Sequence, residues 1–281
     1  MTSSSQNFGN INKAILSINS LAECLHTAFE KLDDREVIIV EEGDFLKLLK
    51  EDSRLAQRQY WRELISKVII SSFVHISRTS MMADACIEAI NSKNIYSLSN
   101  NMRALLESSG NGVFSLMAIG KTLQRERQIV QLVFSDDWEA KNFVASEQLE
   151  NAVNHYLFAL KDGAIKSQSA KKYIDSLKSP IAGYDLYSWL CMISHPRQSS
   201  TAFWDCPNDE GRMWYRKTCY ENNFVSWLPY LLPPLSELLE KGLNVALLNI
   251  AAVNHLGIDE FRCTQFSEND YGHIKGYKQE R

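Results

Sequence analysis

Two short polar constellations sit in apolar surroundings, and their residue types could do chemistry. Arg103 and Glu107 are four positions apart, while Tyr184, Ser188, Cys191 and His195 recur at steps of four, three and four, with Pro196 following. On helices each set falls on one face, so its polar groups can converge between leucines and isoleucines. Polar groups in such surroundings are costly to bury and need partners, which makes them candidates for a site. In a chemical reading, His195 is a general acid or base and Arg103 stabilises a charged phosphorane, the roles of a metal-independent ribonuclease. In the architectural reading, Arg103 and Glu107 form an ion pair, worth only about 0.3–0.5 kcal/mol if it lies at the surface. Cys191 and His195 are then packed side chains. Glu107, Tyr184, Ser188 and Cys191 are binding candidates in either case. His75 and Arg78, flanked by Ile69, Ile70, Phe73, Val74 and Ile76, are candidates to join the same polar centre.

Other chemistries find less support. Glu23-x-x-His26 occurs once, whereas a carboxylate-bridged metal bundle needs that motif twice with further carboxylates. No clustered His/Cys ligands and no phosphate-loop or dinucleotide glycine pattern occur, so neither metal nor cofactor is expected. Lys166, Lys171, Lys172 and Lys178 offer contacts to phosphates, but no regularly spaced aromatics accompany them, so a solvated linker is the favoured reading over nucleic acid. Trp204, Trp214, Tyr215, Tyr220 and Trp227 lie near Arg212, Arg216 and Lys217. Of these, Arg212, Trp214, Arg216 and Trp227 are the candidate partner surface, because Trp, Tyr and Arg favour interface hot spots.

The elements that must position these residues read as helices. Ile11, Ile15, Ile18, Leu21, Leu25 and Phe29 give an amphipathic helix over 10–32, and further helices are expected at 44–51, 53–90 and 95–127. More follow at 126–140, 146–162, 184–194, 212–227 and 234–256, with Gly257 as a stop. Gly110-Asn111-Gly112 either kinks its helix or lets a neighbour approach closely. Glu36-Val-Ile-Ile-Val40 is the one β-branched run, a short strand or an apolar connector. The expectation is an all-α bundle of about seven to nine helices with at most one short strand. It comprises a flexible lead over 1–9, a single helical domain over 10–256 with a possible internal boundary near 162–183, an exposed loop over 197–211, and a polar tail over 257–281.

Length and charge set the class. The 281 residues can bury a sizeable core without disulfides or metal. A net charge of −4 gives no global field for nucleic acid. The first ten residues are polar and show no secretory leader, and the apolar stretches are broken by Asn, His or Pro, so no membrane span is expected. Six cysteines without a C-x-x-C pair read as reduced thiols, and the protein as cytoplasmic.

The pattern Arg103-x-x-x-Glu107, then Tyr184-x-x-x-Ser188 and His195-Pro196, resembles a loosely defined group of bacterial all-helical proteins over roughly residues 53–200. That resemblance implies a helical fold with a polar centre and an association with stress-response or anti-phage modules. The chain also resembles the helical ribonucleases of toxin–antitoxin and abortive-infection systems. Their hallmark is an Arg shortly before a His on one helix, and none of the six histidines here has it. The expected function is therefore a helical regulatory or effector subunit that binds a protein or ligand, as a homo-oligomer or with a protein partner. The alternatives are a ribonuclease using Arg103 and His195, or a structural component of an assembly.

Overall fold

A computed structural model describes all residues except 1, 36–38, 40, 136–143, 161–162, 196–200, 208–212 and 272–281. The helices are α1 (Thr2–Glu30), α2 (Glu42–Glu51), α3 (Ser53–Asn91), α4 (Ile95–Phe134), α5 (Glu147–Phe158), α6 (Ala170–Ser176), α7 (Tyr184–Ser194), α8 (Lys217–Asn254) and α9 (Glu268–Tyr271). The fold is all-α. Strands β1 (Asp205–Pro207) and β2 (Met213–Tyr215) pair antiparallel, with Cys206 opposite Trp214. β1 lies in the segment expected to be an exposed loop and β2 at the start of the helix expected over 212–227, so the chain carries one short strand more than expected. The run at 36–40, read as a short strand or an apolar connector, lies almost wholly outside the described residues, and Ile39 is exposed and in no regular element.

Several boundaries differ from expectation. The lead over 2–9 is helical backbone, since α1 begins at Thr2. Helices expected separately at 95–127 and 126–140 are one rod to Phe134. The pair expected at 212–227 and 234–256 is also one helix, α8, with Pro229, Pro233 and Pro234 inside it. An interior proline removes a backbone donor and crowds the preceding turn, at about 3 kcal/mol or more. Continuous burial offsets that cost: Leu231, Leu232, Leu235, Leu238 and Leu239 are all buried.

Two compact units make up the chain, and one of the boundaries between them, 169/170, falls in the segment 162–183 expected as an internal boundary. Unit 1 comprises Met1–Thr27, Ser77–Gly110 and Ala170–Gly242; unit 2 comprises Ala28–Ile76, Asn111–Ser169 and Leu243–Arg281. Ile18, Leu25, Leu98, Met102, Leu105, Leu106, Leu190 and Phe224 build the core of the first. Trp61, Ile65, Val68, Leu116, Ile119, Leu149, Val153 and Ile250 build that of the second. The tail contributes to the core of unit 2, because Phe261, Cys263, Phe266 and Tyr271 are buried. Asn254 holds it there, donating to the Cys263 carbonyl at 3.2 Å and to the Tyr271 hydroxyl at 2.9 Å.

Within unit 1 the α3–α4 turn passes through Lys93 in the left-handed region (φ 54°). Tyr220 clamps this turn: its hydroxyl donates to the Lys93 carbonyl at 2.5 Å and accepts the Ile95 N–H at 3.0 Å. Gly110 and Gly112 resolve the earlier alternative as close approach. A Cβ at Gly110 would meet the Tyr173 carbonyl oxygen at 2.6 Å in unit 1, and one at Gly112 would meet His75 Cε1 at 2.4 Å in unit 2.

The cysteines depart from a uniform set of thiols. Cys24, Cys86, Cys191 and Cys263 are free, but Cys219 is disulfide-bonded. Disulfides persist mainly in oxidising compartments, so cysteine usage no longer argues for a reducing one. Burial pushes the Cys86 thiol up to about 12 and Cys263 up to about 11, which keeps both protonated and inert. Among the described residues, no helix is long and apolar enough to cross a membrane.

Candidate functional site

The polar cluster of unit 1 is built on α4 and α7. On α4, Met102, Leu105 and Leu106 are buried, which leaves Arg103 and Glu107 half-buried at the edge of the core. On α7, Leu190 and Ile193 are buried, which sets Tyr187, Ser188 and Cys191 at the same partly covered level. A polar latch fixes the entry to α7. Ser179 Oγ accepts the Ile181 and Ala182 N–H groups at 3.2 and 2.8 Å and donates to Glu237 Oε2 on α8 at 2.7 Å. Lys241 closes the latch, pairing with Glu237 Oε1 at 2.7 Å and donating to the Leu177 carbonyl at 2.5 Å.

Four side chains meet there. Arg103 Nη1 donates weakly to Cys191 Sγ at 3.9 Å. Glu107, Arg103 and Cys191 all lie close enough to the Tyr187 hydroxyl to act on it electrostatically, Glu107 most strongly. Tyr184 stacks on Tyr187 with ring centroids 5.6 Å apart, and Lys171 Nζ stands 5.7 Å from the Tyr184 ring centroid. The sequence pattern selected Tyr184, but the structure makes Tyr187 the phenol that engages Glu107. The signal was present, because Tyr187 lies four positions before Cys191.

Not every candidate joins. His195 caps α7 with its backbone N–H bonded to the Cys191 carbonyl at 3.1 Å, and its side chain is exposed. Among the described residues, no hydrogen bond or ion pair joins its imidazole to Arg103 or Glu107. Ser188 is half-buried without a side-chain bond into the cluster. Arg78 is exposed, contrary to the buried setting its flanks suggested. His75 is fully buried but belongs to unit 2, where Nδ1 lies 3.0 Å from the Tyr156 hydroxyl. Pro196 and Arg212 lie outside the described residues, and Arg216 is exposed just before α8. Lys166, Lys171, Lys172 and Lys178 are all exposed. Glu23 and His26 are exposed on α1, and among the described residues no three His, Cys, Asp or Glu side chains could hold a metal ion.

Chemically, the cluster is a guanidinium, a carboxylate, a phenol and a thiol that engage one another across two helices. Desolvation first, and then Glu107, push the Tyr187 phenol well above its ordinary value of 10.0. The folded state therefore keeps this proton while the unfolded chain loses it. The associated stability is fully present below pH 10 and drains away as the pH climbs from there toward the folded value. In urea titrations, the wild-type midpoint is expected to fall more steeply above pH 10 than that of Tyr187→Phe. Identical slopes would show that the phenol is not held by Glu107.

Trp227, the fourth member of the candidate partner surface, lies in an aromatic cluster of unit 1. Its ring centroid is 4.7 Å from Trp189 on α7, 6.0 Å from Phe203 and 5.7 Å from Tyr230. Phe203 is buried, whereas Trp227 is 37% and Tyr230 70% exposed, so the cluster runs from core to solvent. Met192, three positions after Trp189 on the same helix, is 40% exposed. No family model matches the chain, and neither a curated protein nor a solved structure does.

Proposed function

We propose that this protein acts by binding, as a helical regulatory or effector subunit whose aromatic face on α7 and α8 receives a protein partner or a second copy of the chain. The observation that carries this reading is the exposure of Trp227 and Tyr230 at the end of a packed aromatic cluster. Aromatic side chains lose little conformational freedom on binding and supply large contact area, which is why they dominate interface energetics. Placement in a bacterial stress-response or anti-phage module rests on the Arg103…His195 pattern resemblance alone. The test is the solution mass at micromolar concentration together with capture on immobilised protein. A monomer that retains nothing from its host's lysate would sink the reading.

No observation favours the ribonuclease alternative. Arg103 is turned to Cys191, and the His195 side chain stands exposed at the helix end, with no hydrogen bond from its imidazole among the described residues. General acid–base catalysis needs the imidazole and the charge-stabilising group within reach of one substrate. RNA is expected to remain intact with wild type, Arg103→Ala and His195→Ala alike. Cleavage by wild type that both variants lose would restore the nuclease.

A further inference from the structure

Unit 2 contains a cleft of about 250 Å³ between α2, α3 and α5, remote in sequence from every residue of the polar cluster. Its lining includes three carboxylates, Glu42, Glu63 and Glu150, and one ammonium, Lys67. Lys67 is already committed. Its Nζ lies 2.5 Å from Glu63 Oε1 and 5.6 Å from the Phe158 ring centroid. That leaves two carboxylates without an opposing charge among the described residues. Glu42 stands in the first turn of α2. Glu150 accepts the neutral Tyr60 hydroxyl on Oε1 at 2.5 Å, and among the described residues no hydrogen bond engages its Oε2.

Two aromatic rings are in the lining, and one of them is held in place. Tyr60 is pinned from both sides, since its oxygen also accepts the Ala145 N–H at 3.1 Å. Burial, and then the bond to Glu150, push its phenol up, so it remains a neutral donor. Phe45 contributes a second ring, and Asn154, one turn beyond Glu150 on α5, adds an amide. The volume has room for about eight waters and is smaller than most drug-sized pockets. Among the described residues, no three carboxylates converge on a point that suits a metal ion. Glu42 and Glu150 come from different helices, and aromatic rings are among the lining.

We propose that this cleft binds a short aliphatic diammonium, with one ammonium at Glu150 and Asn154, the other at Glu42, and the methylene chain against Phe45 and Tyr60. Each ammonium gains a charge-assisted hydrogen bond and a nearby ring face, and the apolar chain covers the space between. The inference is independent of the aromatic face of unit 1 and stands or falls separately from it.

Calorimetric titration of the full chain with 1,5-diaminopentane, 1,5-pentanediol and magnesium chloride tests it at low ionic strength. The diamine is expected to bind, and the diol and magnesium are not. Glu150→Gln keeps an acceptor for Tyr60, and Glu42→Gln alters an exposed residue. Each is expected to weaken diamine binding by about tenfold while leaving the melting temperature unchanged. Absence of diamine binding at millimolar concentration overturns the proposal. So does equal binding of the diol, competition by magnesium at equal concentration, or undiminished binding by both folded variants.

Discussion

Gly110→Ala is expected to destabilise the protein by about 3 kcal/mol, against the usual helix preference for alanine. In a free helix this change stabilises by about 1 kcal/mol. Here a Cβ would stand 2.6 Å from the Tyr173 carbonyl oxygen and 2.7 Å from its carbon, so the new methyl meets backbone that cannot rotate away. Either α6 retreats or α4 bends. Retreat also loosens the bond from Ser176 Oγ to the Gly110 carbonyl, 2.9 Å long. Gly112→Ala should behave similarly but more mildly, at about 2 kcal/mol. Its Cβ would enter the His75 ring, which is buried and tied to Tyr156. Gly43→Ala is the control: nothing lies within 4 Å of its Cβ, and it sits in the first turn of α2. It should raise stability by about 0.5–1 kcal/mol. Thermal melts of the three variants read the contrast directly, with about 2–4 °C expected per kcal/mol. A Gly110→Ala protein as stable as Gly43→Ala would mean that α6 does not press on α4 at this point.

What sequence made legible followed from locality. Apolar residues recurring at threes and fours mark α1, α3 and α4, because a helix face is a local property of neighbouring positions. The same logic found Arg103, Glu107 and Cys191, and it missed Tyr187 only because Tyr184 offered a competing stripe with Ser188. The length of α8 was not legible, since Pro229, Pro233 and Pro234 argue locally for a break. The burial of Leu231, Leu235 and Leu238 that overrides them depends on the rest of unit 1. The two units were hidden for a related reason. Their boundaries at 27/28, 76/77, 110/111 and 242/243 fall inside α1, α3, α4 and α8, where neither composition nor loop signals change, whereas 169/170 falls in the segment 162–183 that composition does mark. His75 therefore looked like a companion to Arg103 although it packs in the other unit. The cleft was least visible of all: Tyr60 and Glu150, its central hydrogen-bonded pair, are 90 positions apart. No spacing rule connects them.

Truncating the aromatic face should cost binding far more than it costs the fold. Tyr230→Ala removes a side chain that is 70% exposed and whose ring meets the cluster at Trp227, so its melting temperature should match wild type. If the face is an interface centre, partner affinity or self-association should nevertheless fall by about thirtyfold, the effect of losing a hot-spot residue of about 2 kcal/mol. Trp227→Ala should cost at least as much in binding. It should also lower stability, because the indole packs on Trp189 and Phe203 as well as facing solvent. The pair of variants separates the two roles that an exposed aromatic can have. Loss of association in both, with stability lost only in Trp227→Ala, identifies a binding surface built on a structural cluster. Retained association in a folded Tyr230→Ala protein would leave Trp227 as the outer edge of the core. The partner surface would then have to lie elsewhere.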